Sequence, residues 1–126
     1  MLTYRVSTDG KKYHEFSEMA EIQEDLKQLQ KGEGNIIVVE NSPSINGVSA
    51  IQADGVKLWK GIFKKRNVRI EHAIEVLIGH GTQTEKIYRT TTESYDEVYQ
   101  LFEAYIKFQK VPDYSLWEDI TGILGG

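Results

Sequence analysis

The chain has 126 residues, no cysteine, 40% apolar and 27% charged residues, and a net charge of −4 at neutral pH. That length suffices for one domain, residues 1–126, able to bury about two thirds of its unfolded surface without a disulfide or structural metal. Zero cysteines exclude a disulfide framework, thiolate zinc sites and cysteine nucleophiles, and the acidic balance argues against general affinity for phosphate backbones.

Residues 2–6 alternate apolar and polar, and Thr8-Asp9-Gly10 supplies a turn tolerant of positive φ, which predicts a hairpin returning through Tyr13 to Phe16. Ser17 is placed to cap a first helix in which Met19, Ile22, Leu26 and Leu29 recur at helical spacing until Gly32 stops it. Residues 35–40 form a β-branched run of buried-strand length that Asn41-Ser42-Pro43 should end, with a turn around Asn46-Gly47 following. Residues 48–53, 56–63 and 68–78 predict three consecutive strands, separated by a hairpin turn at Asp54-Gly55 and a basic turn at Lys64-Lys65-Arg66-Asn67. Gly79-His80-Gly81 closes the third, and residues 86–91 predict a further, edge-like strand rich in threonine and tyrosine.

Ser94 and Glu97 have the spacing of a capping box opening a second helix, on which Val98, Leu101, Phe102, Tyr105 and Ile106 share one face. After Val111-Pro112-Asp113, the apolar spacing of residues 114–120 predicts one or two more helical turns, laid as a lid on the sheet. Together these elements predict an α+β fold: a curved, mostly antiparallel sheet of about six or seven strands with two main helices and a short C-terminal helix. Residues 1–6 lack the apolar core of a signal peptide and no stretch approaches the roughly eighteen apolar residues of a membrane span, so the expected setting is the cytoplasm with no membrane contact.

His14, His72 and His80 are the only histidines, and no spacing gathers the three or four ligands a zinc site needs, so neither metal nor cofactor is expected. His72 falls in an alternating strand and reads as a packing residue. His80, open between two glycines, could serve as a general base only if partners reach it from elsewhere in the fold, and no catalytic residue is assigned. Gly79-His80-Gly81 and Gly32-Glu33-Gly34 are too short for phosphate loops and read as turns.

Lys57, Lys60, Lys64, Lys65, Arg66 and Arg69, with Trp59 and Phe63 among them, could hold single-stranded nucleic acid, since cations alternating with stacking platforms do so. A solvated hairpin with lysine-guarded edges explains the same residues, and nucleic acid is not the expected partner. The helical acids Glu18, Glu21, Glu24, Asp25, Asp96, Glu97 and Glu103 fit a solvated face; they also fit a surface that steers a basic protein partner onto aromatic anchors such as Tyr95, Tyr99 and Trp117. Asp96, Tyr99, Glu103 and Trp117 are the expected protein contacts. The closing Gly125-Gly126, after a hairpin, helix and strand, superficially resembles a ubiquitin-like modifier, whose diglycine carboxylate is activated by adenylation; a frayed end explains it equally.

One further resemblance rests on Ala50-Ile51-Gln52-Ala53-Asp54-Gly55, on Lys86-Ile87-Tyr88, on Ser94-Tyr95-Asp96-Glu97-Val98 with Phe102-Glu103-Ala104-Tyr105-Ile106, and on Trp117-Glu118. Over residues 48–120 the chain resembles a group of small bacterial proteins that includes immunity proteins encoded beside polymorphic toxins. The resemblance lies in fold-determining positions rather than a site motif. It implies a protein that binds and blocks a cognate toxin, such as a basic toxin domain, without cofactor or turnover. The chain departs from that group in its N-terminal hairpin and in residues 57–78, and no site residue is carried over from it.

Overall fold

Alternation at the N-terminus builds β1 (Thr3–Thr8), which turns at Asp9 and Gly10, both at positive φ, into the short β2 (His14–Phe16). The turn is held by the Asp9 carboxylate, which accepts hydrogen bonds from the Ile36 N–H and the Asn35 amide; those donors hold its carboxyl below the usual carboxylate range. The computed structural model describes residues 2–58 and 69–124 of the chain.

The expected first helix is present as three linked pieces: a 3₁₀ turn (Met19–Ile22), α1 (Gln23–Lys27) and a second 3₁₀ turn (Gln28–Lys31), ended by Gly32 in the left-handed region. Met19, Ile22, Leu26 and Leu29 are all buried, as their spacing requires. The cap differs from expectation. Ser17 contributes only its backbone N–H, and the Glu21 carboxylate reaches back to accept from both Ser17 and Glu18 at 2.8 Å.

Next, β3 (Glu33–Ile45) continues past Asn41-Ser42-Pro43 instead of ending there. Its ladder with β4 shifts register between Glu40 and Ile45, and the Asn41 side chain donates to the Pro43 and Val48 carbonyls, replacing ladder bonds lost at the bulge. Asn46 and Gly47 form the expected turn, both at positive φ.

A larger correction concerns Asp54-Gly55, which is not a hairpin: β4 (Val48–Leu58) runs straight through it. Asp54 Oδ1 accepts from the Ala73 N–H of the neighbouring strand, and its carbonyl meets His72 Nδ1 at 2.8 Å. Gly55 is required because the end of the first helical segment lies against it; a Cβ there would sit 1.9 Å from the Leu29 carbonyl oxygen. The glycine thus reports close packing between helix and sheet, which looks like a turn signal in sequence.

β5 (Arg69–Ile78) and β6 (Lys86–Thr92) follow. β6 is not the edge, since β7 (Glu118–Asp119) pairs outside it. The second helix is α2 (Tyr95–Phe108), whose Ser94 Oγ accepts from the Glu97 N–H at 3.3 Å. Only that half of the capping box forms, because the Ser94 N–H donates to Thr92 Oγ1. Residues 114–120 are not helical. Trp117 N–H closes a turn on the Tyr114 carbonyl and β7 follows; the short α3 (Thr121–Leu124) starts later, where Asp119 Oδ1 accepts from the Thr121 N–H.

The strands form one open sheet in the order β2-β1-β3-β4-β5-β6-β7, antiparallel at every pairing, so the expected α+β architecture holds with seven strands among the described residues. On one face Val6, Ile37, Val39, Ile51, Ile74 and Val76 meet Leu26, Leu29, Val98, Phe102 and Tyr105 from the helices. Each large side chain buried there contributes about 1.5–3 kcal/mol. The opposite face has a smaller cluster of Ala50, Leu77 and Ile87, covered by Ile120. Among the described residues no helix is long and apolar enough to cross a membrane.

Candidate functional site

Helical spacing puts Asp96, Tyr99 and Glu103 on one flank of α2, beside the buried stripe. That flank faces the first helical segment: Gln23 Nε2 donates to the Tyr99 hydroxyl at 2.7 Å. Tyr95, one turn earlier, packs 6.4 Å from the Tyr99 ring and 6.0 Å from the buried His72 ring. Burial pushes the Tyr95 phenol above its ordinary value, and the neighbouring Tyr99, Asp96 and Glu24 add to that effect. Two half-buried phenols, fixed by neighbours on the sheet and on the first helical segment, therefore lie in a seam that also carries the Glu24 and Asp96 carboxylates.

The cations at this seam are locally engaged. Lys27 pairs with Glu24 at 3.5 Å and Lys107 with Glu103 at 3.4 Å, both on exposed helix surface where such pairs contribute little. Trp117 belongs elsewhere. It lies half-buried in the loop on the β6 side of α2, where Tyr114 stacks on Tyr88 with ring centroids 5.2 Å apart. Gln23 could not be assigned to this seam from sequence, because only tertiary packing sets it beside Tyr99, whereas Glu24 is one of the acids expected to flank the aromatic anchors.

On the sheet face away from α1 and α2, His80 lies between two carboxylates, with Nδ1 2.6 Å from Glu85 and Nε2 3.0 Å from Glu40. Glu40 also pairs with Arg5, whose guanidinium lies 5.3 Å from the Tyr13 ring centroid. A depression of about 180 Å³ opens beside Arg5, Glu40, Ser49 and His80. The Ser49 hydroxyl meets the His80 backbone N–H, not the ring. In this arrangement the ring clamps the β5–β6 turn to β3. Because the two carboxylates occupy opposite ring nitrogens, they do not converge on one point, and among the described residues no group of three such side chains could hold a metal ion.

On the same face Glu75 is buried beside Gln52 and Arg89. Burial pushes its carboxyl above the usual range, opposed by the Gln52 hydrogen bond and by Arg89. The sequence carried one signal for it, a lone carboxylate inside the apolar run Ala73-Ile74-Glu75-Val76-Leu77-Ile78.

Of the basic segment, Lys60, Lys64, Lys65 and Arg66 with Trp59 and Phe63 lie outside the described residues; Arg69 pairs with Glu93 at 3.6 Å. Gly125 and Gly126 lie outside them as well, and the residues leading to them form α3. The chain finds no match among protein-family models, curated proteins or solved structures.

Proposed function

We propose that this protein is a cytoplasmic, non-enzymatic binding domain that neutralises a cognate toxin, acting as an immunity protein whose α1–α2 seam receives a basic face of its partner. The observation that carries the binding reading is the seam itself, where Tyr95 and Tyr99 are pre-positioned and half-buried beside Glu24 and Asp96. Fixed aromatics lose little freedom on binding, while exposed carboxylates accelerate encounter with a cationic partner. The resemblance over residues 48–120 supplies the immunity assignment, and inhibition follows from occluding the toxin.

The test is co-expression with the basic toxin domain encoded beside it, scored by cell survival and by co-purification. Tyr99→Ala should weaken the complex by tenfold or more. Asp96→Lys with Glu103→Lys should slow association and remove its salt dependence. Survival unchanged by the protein, or a complex indifferent to all three substitutions, would refute the proposal.

A further inference from the structure

At the β6 edge of the sheet, β7 covers its neighbour over two residues only, with Asp119 opposite Tyr88 and Glu118 opposite Arg89. Past that pairing the Ile120 N–H donates to the Ile87 carbonyl at 2.9 Å, but the Ile87 N–H donates to the Thr121 hydroxyl at 3.0 Å instead of to a ladder carbonyl. The backbone groups of Ile87 therefore face this edge, and because strands alternate, so do those of Arg89 and Thr91. Thr91 is exposed and lies beyond the end of β7, where the chain leaves the edge through the turn closed by Tyr114 and Trp117. Residues 118–124 thus fill the edge incompletely.

Their hold on the sheet is also slight. Of residues 118–122 only Ile120 is buried, covering Ala50, Leu77 and Ile87. α3 is four residues long, and a Cβ at Gly122 would meet open space. Thr121 is fixed by Asp119 Oδ1, which accepts from its N–H and its hydroxyl. Those donors hold the Asp119 carboxyl below the usual carboxylate range, and Lys86 adds to the effect. A terminal segment with so few contacts opens at a lower free energy than the whole domain.

We propose that residues 118–124 are a displaceable strap over a peptide-docking edge, which takes an acidic extended segment of another protein with a β-branched apolar residue seated where Ile120 lies. A regular strand laid along β6 supplies what the strap does not: a backbone carbonyl for the Ile87 N–H and a partner for Thr91. Charge selects an acidic occupant, since β6 presents Lys86 and Arg89 where the strap sets Asp119 and Glu118. This edge is independent of the α1–α2 seam, which lies on the other face of the sheet.

The test uses the ¹⁵N-labelled full chain and, as probe, a synthetic peptide of residues 115–124. Amide exchange at Ile120 should run well ahead of exchange in β4 and β5. The peptide should shift the Ile87, Arg89 and Thr91 amides saturably. It should bind Asp119→Ala and Ile120→Ala at least fivefold more tightly than the unsubstituted chain, because an edge already open takes an occupant more readily. Reversing the peptide's charges, with Glu118→Lys and Asp119→Lys, should weaken it by a similar factor. A fixed cover would instead exchange at Ile120 as slowly as the central strands, and that result would overturn the proposal. So would absence of saturable binding to all three proteins, equal affinity for all three, or indifference to charge reversal. Dimerisation of the two variants on sizing, without peptide binding, would assign the edge to a second copy's strap and refute the proposed occupant.

Discussion

Gly55→Ala is the sharpest test of how the first helical segment seats on the sheet. The added Cβ would lie 1.9 Å from the Leu29 carbonyl oxygen, 2.9 Å from its carbonyl carbon and 3.2 Å from His72 Cε1. Two of these neighbours are backbone atoms, so no rotamer change relieves the clash, and opening 1.9 Å to the 3.0 Å that real contacts require moves the chain by about 1 Å. Leu29 cannot yield alone. Its side chain is 1% exposed, its carbonyl accepts from the Gly32 N–H, and the Gly32 carbonyl in turn accepts from the Lys57 N–H. Overpacking a site of this kind typically costs 1–3 kcal/mol, and a rigid backbone contact places this one at about 3 kcal/mol. For a domain of this length that loss lowers Tm by about 10 °C, readable by circular dichroism on heating and by urea titration. Gly10→Ala is the comparison, since a Cβ there meets open space and the cost comes only from its positive φ, about 1 kcal/mol. A Gly55→Ala loss no larger than that at Gly10 would refute the close-packing account.

Tyr105→Phe should cost about 1–3 kcal/mol in urea titration, because the Tyr105 hydroxyl donates to buried Asn41 Oδ1 and its removal leaves that acceptor unpaired. A change under about 0.5 kcal/mol would show that Asn41 finds another donor. Glu75→Gln should stabilise the protein at neutral pH. Burial raises the folded-state carboxyl above its unfolded value, so the native contribution of Glu75 is full below about pH 4.3 and is lost as pH rises through the folded value. The Tm gain should therefore shrink toward zero on acidification, and a gain independent of pH would contradict burial of the charged form as its cause. His80→Gln should leave global stability within about 1 kcal/mol while speeding amide exchange in residues 79–85, since the clamp to Glu40 and Glu85 is local and partly solvated. Unchanged exchange there would mean that the Gly79–Thr82 turn bonds suffice without the ring.

Local pattern in the amino-acid sequence determined the α+β class, the N-terminal hairpin, the Asn46-Gly47 turn and the buried stripe of α2, because alternation, helical spacing and turn chemistry act between residues close in the chain. The stripe held at Val98, Phe102, Tyr105 and Ile106, all buried. Tertiary structure alone decided why Asp54-Gly55 does not turn, since the reason is a carbonyl that arrives from Leu29. It also decided that β3 survives Pro43, because the Asn41 side chain stands in for the interrupted ladder, and that residues 114–120 turn and then pair with β6 instead of coiling. The sites divide in the same way. Asp96, Tyr99 and Glu103 could be placed on one flank from helical spacing, whereas Gln23 beside Tyr99, the two carboxylates around His80, and Arg89 beside Glu75 are brought together by folding from separate elements. Residues remote in the chain leave no spacing rule to read; only the packing that buries the common core fixes which of them meet.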